Sequence, residues 1–252
     1  MEYALITGAS SGIGREFARQ LHNLGYGLIV CARRVERLEE LKNELKDNVI
    51  IYPLDLVDAT KVIKMVNDLR EYNITLVINN AGFGDFGKFS ETDMSKELRM
   101  IDTNVTGLYL LTKLYIKEFI KNNKGYILNV ASIAGILPGG GYMAQYYATK
   151  AYVKSLTLGI YRELKEAKSN VHISALCPGP VNTEFNDVAN VDFGLKGISA
   201  EACVKYCLKK MKKHKTIIIP GASVRMAARA SKLCSDKFLV RITSNQQKKK
   251  LG

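Results

Sequence analysis

The sequence predicts an α/β fold: a doubly wound parallel sheet of seven strands with helices on both faces. Three observations predict it. Strand-like and helix-like segments alternate along the chain. The strand-like segments are too continuously apolar for a sheet with one face in water, so they read as strands buried on both sides. The first of them runs straight into a glycine-rich turn and then a helical pattern.

Taken in order, the strands are YALIT (3–7), YGLIVCA (26–32), NVIIYPL (48–54), ITLVINN (74–80), GYILNVAS (125–132), VHISALCP (171–178) and TIIIP (216–220). Helices fill the gaps. In RVERLEELKNELK, Val35, Leu38, Leu41 and Leu45 form an apolar stripe with charges on the other faces. Asp58 is placed to cap a helix carrying Val62, Val66 and Leu69. Residues 1–220 read as one Rossmann-type domain, with nothing marking an internal boundary or repeat. Residues 221–252 break the alternation and read as a basic, helical extension of that domain, with Phe238, Leu239, Val240 and Ile242 near its end.

At 252 residues and 47% hydrophobic content, the chain can build a substantial core and is not a disordered protein. It lacks an apolar run long enough to span a membrane, and its N-terminus enters the first strand without a basic leader, so a cytoplasmic location is expected. The five cysteines lack disulfide spacing. Cys203 and Cys207 lie one helical turn apart, but no motif completes a metal site around them, and none is expected. The net charge of +13 suits an anionic cofactor, an acidic partner or an anionic membrane surface as well as plain solubility. The lysine clusters at 209–215 and 248–250 are not interleaved with aromatics, and a nucleic-acid partner is not expected.

The first strand feeds TGASSGIG, where Gly8, Gly12 and Gly14 precede a helix starting near Ile13. Such a turn brings backbone N–H groups and a helix dipole to one point and lets a pyrophosphate approach the backbone. After the second strand the chain reads Cys31-Ala32-Arg33-Arg34. The acid that would hold a ribose 2′-hydroxyl is missing, and two guanidiniums stand where a 2′-phosphate would sit, which predicts NADP(H). Tyr146 and Lys150 are one helical turn apart. A neighbouring ammonium favours tyrosinate, so the spacing predicts a phenol with a lowered pKa, suited to carbonyl–alcohol redox chemistry.

Together these segments resemble the short-chain dehydrogenase/reductase family over roughly residues 3–220. The motifs occur in the family's order: TGASSGIG (7–14), DL (55–56), NNAG (79–82), N-x-x-G (104–107), ASIAG (131–135), YYATK (146–150) and PGPVNTEF (178–185). The resemblance implies a catalytic tetrad of Asn104, Ser132, Tyr146 and Lys150. Tyr146 would protonate the carbonyl oxygen and Ser132 would hold it. Lys150 would lower the Tyr146 pKa and bond the nicotinamide ribose, and Asn104 would hold a water that links Lys150 to solvent. It implies cofactor contacts from Gly8, Ser10, Ser11, Gly12, Ile13 and Gly14, from Arg33 and Arg34, and from Asp55 and Leu56 at the adenine. Asn80, Ala81 and Gly82 would lie along the cofactor and Thr183 near its carboxamide, with Tyr146, Lys150, Pro178, Gly179 and Val181 as further cofactor contacts.

The implied activity is NADPH-dependent reduction of a ketone or aldehyde, or the reverse alcohol oxidation. The alternatives are a 3-oxoacyl-carrier-protein reductase and a non-catalytic NADP(H)-binding sensor. The Ser132–Tyr146 interval is one residue longer than in many relatives, with Pro138-Gly139-Gly140-Gly141 to absorb it. In many relatives a short terminal strand closes a tetramer. Here the tail continues, so a homodimer through the helices near 93–121 and 143–166 is expected. The tail is expected to pack on the protein's own surface or over the substrate cleft, with weak membrane-surface contact as the rival. Phe83, Phe86, Phe89, Tyr142, Met143, Phe185 and Phe193 predict an apolar substrate pocket.

Overall fold

Residues 1–185 and 197–248 are described by the computed structural model. The chain begins β1 (Tyr3–Thr7), α1 (Gly12–Asn23), β2 (Gly27–Ala32), α2 (Val35–Leu45), β3 (Val49–Pro53), α3 (Ala59–Asp68) and β4 (Ile74–Asn79). It continues through α4 (Met94–Ile101), a π-helical turn (Asp102–Gly107), α5 (Leu108–Asn122), β5 (Tyr126–Val130), a 3-10 turn (Ile133–Gly135), α6 (Ala144–Glu166) and β6 (His172–Leu176). The remainder is β7 (Val181–Asn182), β8 (Ile198–Ser199), α7 (Ala200–Met211), β9 (Ile217–Ile218), α8 (Ala222–Ala230), a 3-10 turn (Ser231–Leu233) and α9 (Asp236–Lys248).

Among the described residues the main sheet has seven strands in the order β3-β2-β1-β4-β5-β6-β9, all parallel. Each expected strand is present, β1 with the expected bounds and the others shortened at one or both ends; the last shrinks to Ile217–Ile218. The two-residue ribbon of β7 and β8 has too little periodicity to be read from sequence.

Alternation along the strands splits the core in two. Ala4 and Ile6 of β1 face α1, α2 and α7 through Phe17, Leu21, Leu38, Leu41, Cys203 and Cys207. Leu5 faces the opposite layer with Val62, Met65, Leu111, Phe119 and Leu164. Full burial of each large apolar side chain contributes about 1.5–3 kcal/mol. The stripe expected on α2 is narrower than its spacing implied: Leu38 and Leu41 are buried, whereas Val35 at the first position lies out of the groove and is exposed. Asp58 caps α3 as expected, accepting from the Lys61 N–H at 3.0 Å.

The strand order reverses between β1 and β4, and this switch point opens a crevice at the carboxyl ends of the strands. Thr7 Oγ1 ties the two strand ends by accepting from the Asn80 and Ala81 N–H groups at 3.0 and 3.1 Å. The extension is helical, as expected, and anchored. Arg225 on α8 donates to the Ile219 carbonyl at 3.1 Å, and Ser244 on α9 accepts from the Gly141 N–H at 3.0 Å. Leu239 points inward, while Phe238, Val240 and Ile242 are exposed. No helix among the described residues is long and apolar enough to cross a membrane.

Candidate active site

A crevice of about 910 Å³ runs from the glycine-rich turn to α9. At one end, Gly8 and Gly12 hold φ of +66° and +52°, which L side chains rarely adopt. The N-cap of α1, Ser11, makes no side-chain cap bond, and the first turn carries no acid. The helix therefore presents N–H groups and the positive end of its dipole to the crevice, a cradle that fits a phosphate-bearing ligand. Ser10, Ser11, Gly12 and Ile13 line it.

Gly14 does not line the crevice. A Cβ there would lie 2.2 Å from the Gly8 carbonyl oxygen, so its role is close packing of α1 on the turn. Gly14→Ala is expected to lose about 1–3 kcal/mol of stability in denaturant titration, because backbone rather than a yielding side chain is in the way.

Arg33 and Arg34 follow β2 and line the same end. Arg34 donates to Ser10 Oγ at 3.3 Å and to Glu184 Oε2 at 3.0 Å. Glu184, across the crevice on the segment after β7, was missed by the sequence reading, although it sits in the PGPVNTEF motif beside residues that were singled out. Both partners are partly exposed, so this ion pair contributes about 0–1 kcal/mol and yields readily to a stronger anion. Asp55, Leu56, Asn80, Ala81 and Gly82 line the middle, and Pro178, Gly179, Val181 and Thr183 the wall after β6.

At the other end, Ser132 follows β5 and caps the 3-10 turn, accepting from the Ala134 N–H at 3.1 Å. Tyr146 and Lys150 start α6, and all three side chains line the crevice. Lys150 Nζ stands 5.9 Å from the centre of the Tyr146 ring and donates to the Val130 carbonyl at 2.9 Å. Asn104 lies behind the crevice wall. Its amide donates to the Phe83 carbonyl and Thr149 Oγ1 and accepts from the Phe83 N–H, at 2.9, 3.1 and 3.0 Å. The π-helical turn around it widens the helix locally, a feature that recurs at functional sites. Sequence periodicity gave no sign of it.

The electrostatics correct one expectation. Burial pushes the Tyr146 phenol up to about 12, opposed by hydrogen bonding with Ser132. Burial likewise brings the Lys150 ammonium down to about 8. The predicted lowering of the Tyr146 pKa by Lys150 is not what the protein's own groups produce. Both side chains are taken out of water, and desolvation outweighs an attraction acting across the ring.

Among the described residues, fewer of the expected apolar side chains reach the crevice. Phe83, Met143 and Phe185 line the crevice, joined by Leu137. Phe86 instead stacks on Tyr142 at 5.9 Å, and Phe89 is exposed on its loop. Phe193 lies outside the described residues, as does most of the segment between Phe185 and Ser199. Gln246 and Gln247 of α9 also reach the crevice, and no sequence signal pointed to them.

A family model described as short chain dehydrogenase matches residues 2–193. A probable NADP-dependent dehydrogenase of Haemophilus influenzae is 35% identical over 191 residues, covering 73% of this chain and 74% of that protein. The NADP-dependent 3-hydroxy acid dehydrogenase YdfG of Escherichia coli K12 is 35% identical over 188 residues, covering 73% and 75%. The solved structure of a short-chain dehydrogenase from Sphingobium yanoikuyae in complex with NADPH superposes with a TM-score of 0.84. It is 31% identical and is covered, like this chain, to 92%.

Proposed function

Because the chain belongs to the short chain dehydrogenase family, we propose that it is an NADP(H)-dependent oxidoreductase that reduces a ketone or aldehyde, or oxidises the corresponding alcohol. One observation carries this reading. Ser132, Tyr146 and Lys150 converge at one end of a crevice whose other end combines a glycine cradle, a bare helix start and two arginines.

In this reading the α1 start and Gly8, Ser10, Ser11, Gly12 and Ile13 hold the pyrophosphate, and Arg33 and Arg34 hold the 2′-phosphate. Asp55 and Leu56 border the adenine. Asn80, Ala81 and Gly82 border the ribose, and Pro178, Gly179, Val181 and Thr183 the nicotinamide. When bound there, the dihydronicotinamide would supply the hydride that the carbonyl carbon accepts. Ser132 Oγ donates to the substrate oxygen and steadies the charge that develops there. Tyr146 gives its phenolic proton to that oxygen as the alcohol forms. With burial holding its pKa at about 12, the phenol is a fully protonated donor at neutral pH. Lys150 Nζ, held by the Val130 carbonyl, bonds the nicotinamide ribose. Asn104 keeps the Phe83 loop and α6 in register through its three hydrogen bonds.

The test is loss of NADPH absorbance with a panel of ketones and aldehydes. Tight NADPH binding with no turnover across the panel would instead favour a cofactor sensor. Replacing Arg33 and Arg34 together by alanine is expected to weaken NADPH binding about 10²- to 10⁴-fold, since each of the two lost charge-assisted contacts costs about 1.5–3 kcal/mol. NADH binding, lacking the 2′-phosphate, changes far less. Equal losses for both cofactors in calorimetric titration would remove the two arginines from phosphate recognition.

A further inference from the structure

We propose that Glu184 is an internal rival of the cofactor's 2′-phosphate: its carboxylate holds the Arg34 guanidinium that the phosphate requires, and so limits how tightly and how selectively NADP(H) is bound. The inference rests on the NADP(H) reading and adds to it the residue that tunes it.

The rivalry follows from donor geometry. Arg34 directs both terminal nitrogens to one oxygen of Glu184, Oε2, each at 3.0 Å. One of those nitrogens also donates to Ser10 Oγ at 3.3 Å. The end of the guanidinium that pairs two-pronged with a phosphate is thereby committed. The other carboxylate oxygen, Oε1, lies 3.8 Å from the Arg37 guanidinium on α2. Glu184 thus bridges two cations beside the phosphate cradle, and Ser10, Arg34 and Glu184 all line the crevice. A place that holds one anion in this way attracts another, and the two repel each other there.

The fold carries Glu184 to this place from far along the chain. The β7–β8 ribbon fixes the residues just before it, with Val181 opposite Ile198 and Asn182 opposite Ser199. Thr183 Oγ1 accepts from the Phe185 N–H at 3.3 Å, and its side chain lies where a Cβ on Gly12 would meet it at 3.1 Å. The segment is therefore seated on the glycine turn, and Glu184 reaches from it to Arg34 at the N-cap of α2. The ion pair spans the two walls of the crevice. Its side chains are 43% and 40% exposed. A pair so open to water is weak and readily exchanged, as a displaceable rival must be. A phosphate monoester carries about −1.5 to −2 charges near neutral pH and offers three acceptor oxygens. It outcompetes a single carboxylate for Arg34, but it must displace that carboxylate first. NADH, with a hydroxyl at the same position, leaves the pair in place. Glu184 therefore narrows the preference for NADPH over NADH.

The experiment is calorimetric titration of the full chain with NADPH, NADH, adenosine 2′,5′-bisphosphate and AMP. Glu184→Gln is expected to tighten NADPH and the bisphosphate about three- to tenfold, and to leave NADH and AMP within about twofold. In an Arg34→Ala background the same substitution is expected to gain less than about twofold, because the contested group is gone. Glu39→Gln removes the same charge from an exposed position on α2 and leaves every Kd within about twofold. Glu184→Ala repeats the measurement without an amide oxygen that could keep a neutral hold on Arg34. Unchanged or weaker NADPH binding in both Glu184 variants, equal gains for NADPH and NADH, or a gain that survives Arg34→Ala overturns the rivalry. Loss of NADPH affinity on replacing both arginines would still support the NADP(H) reading in that case. If the unaltered protein binds NADPH and NADH alike, and Glu184→Gln alone creates a preference for NADPH, the NADP(H) preference of the natural chain falls and the rivalry stands.

Discussion

Tyr146→Phe is expected to lower kcat by about 10²- to 10⁴-fold, the range for removal of a positioned proton donor, and to leave NADPH affinity nearly unchanged. The phenol stands at the substrate end of the crevice, far along it from the glycine turn and the arginines. Its loss therefore removes the proton and not the cofactor's main grip. The ring remains to pack against Phe185, whose centre lies 5.5 Å away, so the fold tolerates the change. Stopped-flow reduction and fluorescence titration of NADPH check the two halves separately. A variant with full turnover would assign the proton to another group. A variant that no longer binds NADPH would place the phenol's role in binding.

Lys150→Met is expected to have two opposite effects: turnover falls by roughly 10²-fold or more, while the protein becomes more stable. The ammonium is buried with no carboxylate beside it among the described residues, and its hydrogen bond to the Val130 carbonyl does not restore the lost hydration. Burial holds its pKa at about 8 in the folded chain, below the ordinary lysine value of 10.5. A group that binds its proton more weakly when folded destabilises the fold at every pH where the unfolded chain keeps that proton. The cost is complete below about pH 8 and is relieved as pH rises from 8 towards 10.5.

Methionine, of similar length and uncharged, is expected to add on the order of 1–3 kcal/mol near neutral pH. It should also flatten the rise in stability between pH 8 and 10. Above pH 10 the raised Tyr146 pKa gives the opposite slope, because there the folded chain binds the proton more tightly than the unfolded one. Denaturant titrations of both proteins across that pH range decide it. Equal slopes, or a less stable variant, would show that Lys150 is not paying a desolvation penalty. Retained turnover would remove Lys150 from the chemistry.

Much of the molecule was legible in the sequence because its signals are local. A strand buried on both faces must be apolar along its length, so β1 to β6 are visible as runs such as YALIT and GLIVCA. A turn that cradles a phosphate needs glycines at positive φ, so Gly8 and Gly12 announce it. A Tyr and a Lys four residues apart share a helix face, so Tyr146 and Lys150 are a pair in any helix that carries them. The absence of an acid after β2 likewise shows in four consecutive residues, Cys31 to Arg34.

What periodicity could not carry depends on residues brought together from distant parts of the chain. Glu184 meets Arg34 only once the segment after β6 folds across the crevice. Gln247 reaches Tyr147, and Ser244 reaches Gly141, only once α9 docks over the substrate end. The acid–base character of the site is of the same kind. From spacing alone, an ammonium beside a phenol lowers the phenol's pKa. Folding buries both, and the loss of water raises it instead, because desolvation depends on everything packed around a group and not on its neighbour in the helix. Backbone conformation and side-chain pairing within a turn are settled by a few adjacent residues, whereas burial, and the charge state it imposes, belongs to the assembled fold.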